Sequence, residues 1–315
     1  MNLIRLLLGS LLVAGCAARS TNSASSTALP PGAEAMSLLR KPLFAPKLPA
    51  ETRANYERRL AEARAVWEAS PNDADAIIWL GRRTAYLGRY RESIRIYSEG
   101  IAKHPMEARL YRHRGHRYIT VRQFDDAIAD FNRAAELIKG KPDEIEPDGL
   151  PNARNIPTST LQSNIWYHLG LAHYLKGDFE RALEAFRECM KVSNNPDMLV
   201  ATTNWLYMTL RRLDRFQEAA AVLAPIKREM SLIENDSYHR LLLVYKGEIP
   251  AESAVASASS EDRALDDATL GYGIGNWHLY RGFKPQAKRI FKRVLEGKSW
   301  AAFGYIAAEA EQARK

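Results

Sequence analysis

Seven histidines and two cysteines are the side chains in this 315-residue sequence best suited to hold a metal or act as a nucleophile. His113, His116, His168 and His173 are the candidates for a metal site, but only His113 and His116 are close in sequence, and they form one short group. No Cys or carboxylate completes a familiar zinc spacing, and the arginines around His113 and His116 would repel a cation. The sequence also lacks a Gly-rich phosphate loop, a zinc-protease motif and a serine nucleophile elbow. We therefore predict no metal, no cofactor and no catalytic residues, which means a protein that is not an enzyme.

A cysteine stands directly after an apolar segment at the start of the chain. MNLIR is a short basic start, and LLLGSLLVAG is too short to span a bilayer before Cys16 is reached. The ending Val13-Ala14-Gly15-Cys16 resembles the lipobox of bacterial lipoproteins. The resemblance implies that residues 1–15 are a signal peptide and that Cys16 carries palmitate-like acyl chains, which together give stable membrane anchoring. An ordinary secretory signal with an incidental cysteine, or an uncleaved anchor, is the alternative.

Residues 16–50 are predicted to form the lipidated cysteine and a tether. The segment AARSTNSASSTALPPG is poor in large apolar side chains, so burial cannot offset the cost of ordering it. Pro42, Pro46 and Pro49 favour an extended continuation, whose apolar side chains could dock onto the array: Leu38, Leu39, Leu43 and Phe44. The lipoprotein resemblance implies a bacterial cell-envelope location. Ala17 after the cysteine implies the periplasmic face of the outer membrane if the source has two membranes.

The charge balance narrows the choice of partners. The chain has 45 Lys and Arg against 37 Asp and Glu, a net charge of +8. A surplus of this size suits an anionic partner or a membrane surface. No basic stripe is interleaved with stacking aromatics, so we do not predict a nucleic-acid partner.

The stretch from Ser163 to Pro196 has the clearest pattern in the sequence. Two amphipathic helices are predicted on either side of Gly177-Asp178, where the glycine is a typical helix stop. Five residues match the tetratricopeptide consensus: Trp166, Leu169, Gly170, Ala182 and Phe186. The stretch therefore resembles a tetratricopeptide repeat, and Cys189 stands where the family has a small buried residue. This resemblance implies an all-α fold, a right-handed superhelical α-solenoid of helix-turn-helix repeats.

The same pattern divides the rest of the chain. Residues 51–71 are predicted to form an N-terminal capping helix, and residues 72–315 form the repeat array. Good repeats are expected at 74–107, 108–141 and 163–196, and looser ones at about 200–233 and 268–301. Residues 142–162, called the insertion below, are left over between two good repeats.

The resemblance also implies which residues line a binding groove. In tetratricopeptide arrays, fixed positions on the first helix of each repeat face a concave groove. Mapped onto this sequence, these positions are Arg82, Tyr86, Arg109, Arg112, His116, Asn164, Tyr167, Tyr174, Asn204, Arg211 and Arg212. Arg and Tyr carry much of the binding energy at interfaces, and Arg pairs well with carboxylates. We expect Arg109, Arg112 and His116 to converge on one patch, and Leu171 to line the open groove.

The first half of the insertion is acidic, with Asp143, Glu144, Glu146 and Asp148. Long loops without their own structure are often functional, so the insertion could fold over the groove to grip or mimic a ligand. A tolerated surface spacer is the alternative.

These features favour a membrane-anchored scaffold or adaptor that binds a protein or extended peptide in its groove, with an acidic segment favoured by the arginines. The alternative is a non-catalytic or catalytic subunit of an envelope enzyme complex.

The lipobox gives a direct prediction for the anchor. The substitution Cys16→Ala removes the thiol that would be acylated, so the protein should remain unprocessed or become soluble. Membrane fractionation and gel mobility in the native cell measure this. A variant that stays membrane-bound at unchanged mobility would refute the lipoprotein interpretation.

Overall fold

The computed structural model describes residues 29–152, 154–256 and 263–314. Across these residues the regular secondary structure is helical apart from one short two-stranded hairpin, so the predicted all-α fold is confirmed. None of the helices in these ranges has the length and apolar character needed to cross a membrane. Cys16 and residues 1–28 lie outside the described part of the chain, and the lipid anchor therefore stays a prediction.

The elements follow one another as helix pairs. The strands are β1 (Ala33–Met36) and β2 (Pro42–Phe44), which pair antiparallel. The helices, in chain order, are α1 (Ala50–Ala69), α2 (Ala74–Tyr86), α3 (Tyr90–Lys103), α4 (Ala108–Thr120), α5 (Phe124–Ile138), α6 (Leu161–Lys176), α7 (Phe179–Lys191), α8 (Pro196–Arg212), α9 (Phe216–Val222), α10 (Asp236–Lys246), α11 (Ala251–Ala256), α12 (Arg263–Tyr280), α13 (Lys284–Val294) and α14 (Phe303–Ala313). Helices α2 to α9 pack successively against their neighbours in sequence, as expected for a solenoid.

The turn inside each helix pair has the same backbone conformation. Five of these turns contain one residue with positive φ: Gly88, Arg122, Gly177, Asp214 and Gly282. The left-handed conformation closes a helix while reversing the chain, and it is most favourable for glycine. The five residues separate α2 from α3, α4 from α5, α6 from α7, α8 from α9 and α12 from α13. The pairs after residue 200 therefore use the same turn as the earlier ones.

A glycine on the first helix lets an aromatic ring from the second helix approach closely. In α6, a Cβ added to Gly170 would lie 2.6 Å from the ring of Phe186 on α7. The same contact recurs between Gly81 and Tyr97, between Gly115 and Phe131, and between Gly275 and Phe291. In the pair α8/α9 the corresponding residue is the buried Tyr207. Its ring leaves no such gap, and α9 ends at Val222, well short of the second helix expected to reach 233.

The N-terminal hairpin and the C-terminal helix α14 meet. The indole of Trp300 donates to the backbone oxygen of Phe44 at 2.8 Å, and the backbone N–H of Leu38 donates to Glu309 on α14. Ala35 and Leu43 are buried in one cluster with Trp300. Residues 33–44 are thus not part of a flexible tether, because their alternating apolar side chains are buried against the array.

The close contact at Gly170 predicts a large loss of stability when a side chain is added. Gly170→Leu should lower the free energy of unfolding by about 1–3 kcal/mol, because the new side chain overlaps Phe186. Ala129→Leu, which introduces the same leucine side chain at an exposed site on α5, is the matched control. Chemical denaturation measures both, and equal shifts would show that α6 and α7 are not in close contact.

The expectation that Leu171 lines an open groove is wrong, because Leu171 is fully buried. Its side chain belongs to the main apolar core of the array. Leu171→Ala should therefore also destabilise, by about 2–5 kcal/mol.

Candidate functional site on the inner face

The predicted groove residues lie on α2, α4, α6 and α8, the first helices of four successive pairs. We call the surface they share the inner face. Two other parts of the chain cover it: the insertion lies over α2, α4 and one end of α6, and α14 lies over the rest of α6. The insertion is therefore not a free surface spacer.

The ends of the insertion are joined by backbone hydrogen bonds. The N–H of Glu146 donates to the carbonyl of Ser159 at 3.1 Å, and the N–H of Leu161 donates to that of Glu144 at 2.8 Å. The hydroxyl of Thr160 then caps α6 by accepting from the N–H of Ser163. These bonds fix where the insertion leaves and rejoins the array, and the described residues 147–152 and 154–158 lie in the loop between these two points.

Helix α2 grips the backbone of that loop. Arg82 donates to the carbonyl of Pro147 at 2.8 Å, and Arg83 donates to the carbonyl of Gly149 at 2.7 Å. Gly149 packs so closely on Tyr86 that a Cβ would lie 1.6 Å from the phenol oxygen. These contacts are made to backbone carbonyls and to a glycine, which has no side chain. Helix α2 therefore binds the backbone of an extended segment and not its side chains.

Helices α4 and α6 bind the side chain of Glu146. The Nε of Arg112 lies 2.9 Å from one carboxylate oxygen, and Asn164 Nδ2 donates to the same oxygen at 3.1 Å. His113 Nε2 lies 3.7 Å from the other oxygen. The side chains of Arg112 and Glu146 are only 9% and 8% exposed, so the ion pair is almost completely removed from water.

We call the three side chains around the carboxylate of Glu146 the cradle: Arg112, His113 and Asn164. The positive charge of the cradle comes from Arg112. Burial lowers the pKa of His113 well below its ordinary value, and the positive charge of Arg112 lowers it further. His113 is therefore neutral at pH 7, and its Nδ1 accepts a hydrogen bond from Arg112 Nη1 at 3.0 Å. With one buried cation facing one buried carboxylate, the cradle is built to hold a single negative charge.

Helix α14 covers the middle of the inner face. The ring of His116 lies 4.5 Å from that of His168 and 5.5 Å from that of Phe303 on α14. Arg314, which follows α14, donates to the carbonyls of Tyr174 and Leu175 at 2.9 and 2.7 Å. These carbonyls are at the C-terminal end of α6, where a cation is favourable.

Other predicted groove residues face neighbouring helices. Tyr167 donates to Tyr238 on α10 at 3.3 Å, and Tyr174 shares a 2.7 Å hydrogen bond with Tyr272 on α12. Asn204 is 1% exposed.

Both predicted arginines at the end of α8 are engaged. Arg211 stacks on Tyr280 at 4.3 Å, and Arg212 pairs with Glu311 at 2.7 Å. These residues tie α8 to α12 and α14 instead of lining open space.

The expected patch of Arg109, Arg112 and His116 is split. Arg109 pairs with Asp75 at 2.6 Å and Glu107 at 2.8 Å, and only Arg112 contacts the insertion. His116 is turned towards α14. Helical spacing put the three residues on one side of α4, but the partners differ because the insertion covers one end of that side and α14 covers the other.

Sequence reasoning missed several residues of this site. Arg83 and His113 stand next to predicted positions, and the only signal for them was their chemical type. Glu309 lies on α14 and Arg314 directly follows that helix, in a part of the chain where no site residue was predicted. The signal there was a carboxylate within the small-residue run Ala307-Ala308-Glu309-Ala310, which is unusual for a solvent-facing helix. Within the described residues, no group of three or more His, Cys, Asp or Glu could hold a metal ion.

The sequence of one helix pair matches a model of a known repeat family. The tetratricopeptide repeat model matches residues 163–196, which span α6, α7 and their glycine turn. The α6–α7 pair is a tetratricopeptide repeat. Its neighbours α2/α3 and α4/α5 share the turn and the glycine–aromatic contact of this repeat.

Comparisons with individual proteins are more distant. The bovine (Bos taurus) BBSome complex member BBS4 is 26% identical over 141 residues, which is 45% of this chain and 23% of that protein. The chain thus spans less than a quarter of the length of this curated relative.

Solved structures with a similar arrangement include a tetratricopeptide repeat protein from Parabacteroides merdae. It has a TM-score of 0.47 and 13% identity, over 82% of this chain and 93% of that one. YrrB, described as a TPR protein with an unusual peptide-binding site, has a TM-score of 0.43 and 13% identity, over 74% and 91%. MamA has a TM-score of 0.43 and 14% identity, over 63% and 95%.

The buried histidines predict how stability depends on pH. Burial lowers the pKa of His168 to about 3, and nearby Arg112 adds to this effect. In the unfolded chain His168 titrates at about 6.5, so below that pH the unfolded state binds a proton that the folded state does not. The free energy of unfolding should fall by about 1.4 kcal/mol per pH unit for each such histidine as pH drops from 6.5 towards 4.

Denaturation between pH 7 and pH 4.5 checks this in wild type and in His168→Phe. The aromatic variant keeps the ring stack but cannot be protonated, so its stability should depend less on pH. Parallel curves for the two proteins would mean that His168 is not buried in its neutral form.

Proposed function

We propose that this protein is a scaffold that binds an acidic, extended segment of a partner protein on its inner face, at the place where the insertion now lies. The observation that carries the proposal is the cradle of Arg112, His113 and Asn164 around the buried carboxylate of Glu146. Tetratricopeptide arrays are interaction modules, and the arginines that grip the backbone of the insertion would grip a partner's backbone equally well.

The buried charge sets the chemistry of the partner. If a partner displaced the insertion without supplying an anion, Arg112 would be left buried and unpaired, at a cost of about 3–5 kcal/mol. A segment with a Glu or Asp at the matching position avoids this cost. The cradle therefore selects for a carboxylate, and the insertion acts as a built-in competitor.

The insertion and α14, which both cover the inner face, differ in how readily a partner could displace them. The insertion is held by Glu146, by arginine bonds to its carbonyls and by short backbone pairing. Helix α14 contributes Ile306, Ala307 and Ala308 to the main apolar core. The large apolar side chains of the insertion, Ile145, Leu150 and Ile156, are already exposed. Displacing α14 would open the core, so we assign partner binding to the insertion site.

Membrane anchoring through Cys16 belongs to the same proposal. The lipobox resemblance supports it, and a lipid-anchored scaffold would gather partners at the surface of the bacterial cell envelope, on the periplasmic side of the outer membrane in a two-membrane source.

A peptide copy of the insertion tests the groove directly. The probe is a synthetic peptide with the sequence of residues 143–149, DEIEPDG. Glu146→Ala should empty the cradle and bind this peptide at least tenfold more tightly than wild type, because the competing carboxylate is gone. Fluorescence anisotropy measures the affinity, and a peptide with Gln and Asn in place of Glu and Asp should bind poorly to either protein.

Two further variants control this experiment. Glu144→Ala removes an exposed carboxylate of the insertion and should behave as wild type. Adding Arg112→Glu to Glu146→Ala should abolish peptide binding. Equal affinity of wild type, Glu144→Ala and Glu146→Ala would refute the proposal.

The same variants test whether the ion pair between Arg112 and Glu146 holds the loop of the insertion closed. Trypsin can cut after the exposed Arg154 within the insertion. Cleavage there should be faster in Glu146→Ala and in Arg112→Glu than in wild type or Glu144→Ala, because the ion pair that closes the loop is lost. Identical cleavage rates in all four proteins, at low and high salt, would mean that the pair does not hold the loop.

A further inference from the structure

A second surface, far in sequence from the cradle, combines positive charge with an apolar cleft. The cleft has a volume of about 580 Å³ and lies between the N-terminal hairpin and helices α13 and α14. Its apolar part comes from Leu39 and Leu43 on the hairpin side and from Leu295 and Tyr305 on the other. Its cations are Lys41, Lys288, Arg289 and Lys292.

Helix α13 is amphipathic in a way that places these cations on its outer side. Ala287, Phe291 and Val294 are buried against the array. The exposed side chains of this helix are basic at five positions: Lys284, Lys288, Arg289, Lys292 and Arg293. Arg40 and Lys41, in the turn of the hairpin, add two more exposed cations.

These cations lack ion-pair partners among the described residues, whereas exposed charges on α1, α3, α5 and α7 form ion pairs. The carboxylates that line the cleft are Glu296 and Glu309, and Glu309 is already paired with Arg122 at 2.8 Å. Phe283, at the N-cap of α13, is 51% exposed. Cations beside an apolar cleft and an exposed aromatic ring are the combination that suits a membrane interface.

The position of the chain's N-terminal part favours a membrane over an acidic protein. The hairpin that forms one wall of the cleft begins four residues after Leu29, the first described residue. If Cys16 is acylated as proposed above, twelve residues lie between the anchor and Leu29. Even fully extended, a chain of that length reaches at most about 45 Å, so this face would stay within that distance of the bilayer.

We infer that the surface formed by α13 and the N-terminal hairpin docks on the anionic phospholipids of the membrane. The cations contact the phosphate groups, and the apolar cleft accepts the upper part of an acyl chain. This inference uses the proposed anchor as one argument. Its test does not, because binding is measured in a chain that cannot be acylated.

The test is vesicle co-sedimentation of the full chain carrying Cys16→Ala. Vesicles of phosphatidylcholine with about one third phosphatidylglycerol are compared with vesicles of phosphatidylcholine alone. The protein should partition at least tenfold more strongly onto the anionic vesicles, and this preference should weaken as salt screens the charges. Lys288→Gln with Lys292→Gln in the same background should lower the partition coefficient by about tenfold or more, since each basic residue near the surface contributes about a factor of five.

The matched control is Lys139→Gln with Lys227→Gln, two exposed lysines outside the cleft that also lack ion-pair partners in the described ranges. It removes the same net charge and should change binding by less than twofold. Melting curves establish that both double variants are folded, and the substitutions are at solvent-exposed sites. Equal losses for the two double variants, or no loss for either, would overturn the inference, as would equal binding to both kinds of vesicle.

Variants of the cradle and of α13 distinguish the membrane inference from the proposed peptide binding. Arg112→Glu should leave vesicle binding unchanged, and Lys288→Gln with Lys292→Gln should leave binding of the 143–149 peptide to Glu146→Ala unchanged. If vesicle binding fails while peptide binding succeeds, the cationic face is not a membrane surface and the scaffold proposal stands.

Discussion

The ion pair between Arg122 and Glu309 joins parts of the chain that are far apart in sequence. Both side chains are almost completely buried, at 2% and 1% exposure. Arg122 occupies the left-handed turn between α4 and α5, and its guanidinium also donates to the carbonyls of Thr120 and Trp300. Glu309 accepts from Arg122 and from the backbone N–H of Leu38. Buried charges are tolerated only when such partners replace water, so the second helix pair, α14 and the hairpin must assemble together.

The closure has a direct consequence for the inner face. An open solenoid would present the first helices of its repeats to solvent, but here α14 and the insertion occupy that surface. Helix α14 brings apolar side chains into the core, while the insertion brings a single buried carboxylate and a backbone held by arginines. The part of the inner face under α14 is therefore permanently covered, whereas the cover provided by the insertion depends on the charge of Glu146. This difference is the physical basis for assigning recognition to the cradle around Glu146.

The positive charges of the chain are of two kinds: buried arginines paired with carboxylates, and exposed cations without ion-pair partners. Arg112 and Arg122 are buried and each faces a carboxylate, so they act at short range and select one geometry. The lysines and arginines of α13 are exposed and spread along a helix, so they act at longer range, are screened by salt and suit a surface more than a single group. A net charge of +8 does not distinguish these uses. The distinction comes from burial and from which cations have partners.

The sequence alone determined the helix pairs. Gly170 facing Phe186, the glycine stop at Gly177 and their equivalents are local features with fixed spacing, and they predicted the all-α array and the family of its central repeat. The acidic insertion and the basic residues of α4 were also recognisable. Only the tertiary structure decided that Glu146 meets Arg112, that His116 turns to Phe303 on α14, and that residues 33–44 are packed rather than loose. These contacts join residues between about 30 and 270 positions apart. No periodicity encodes them, because they depend on how the stacked pairs curve and on where the two ends of the chain meet.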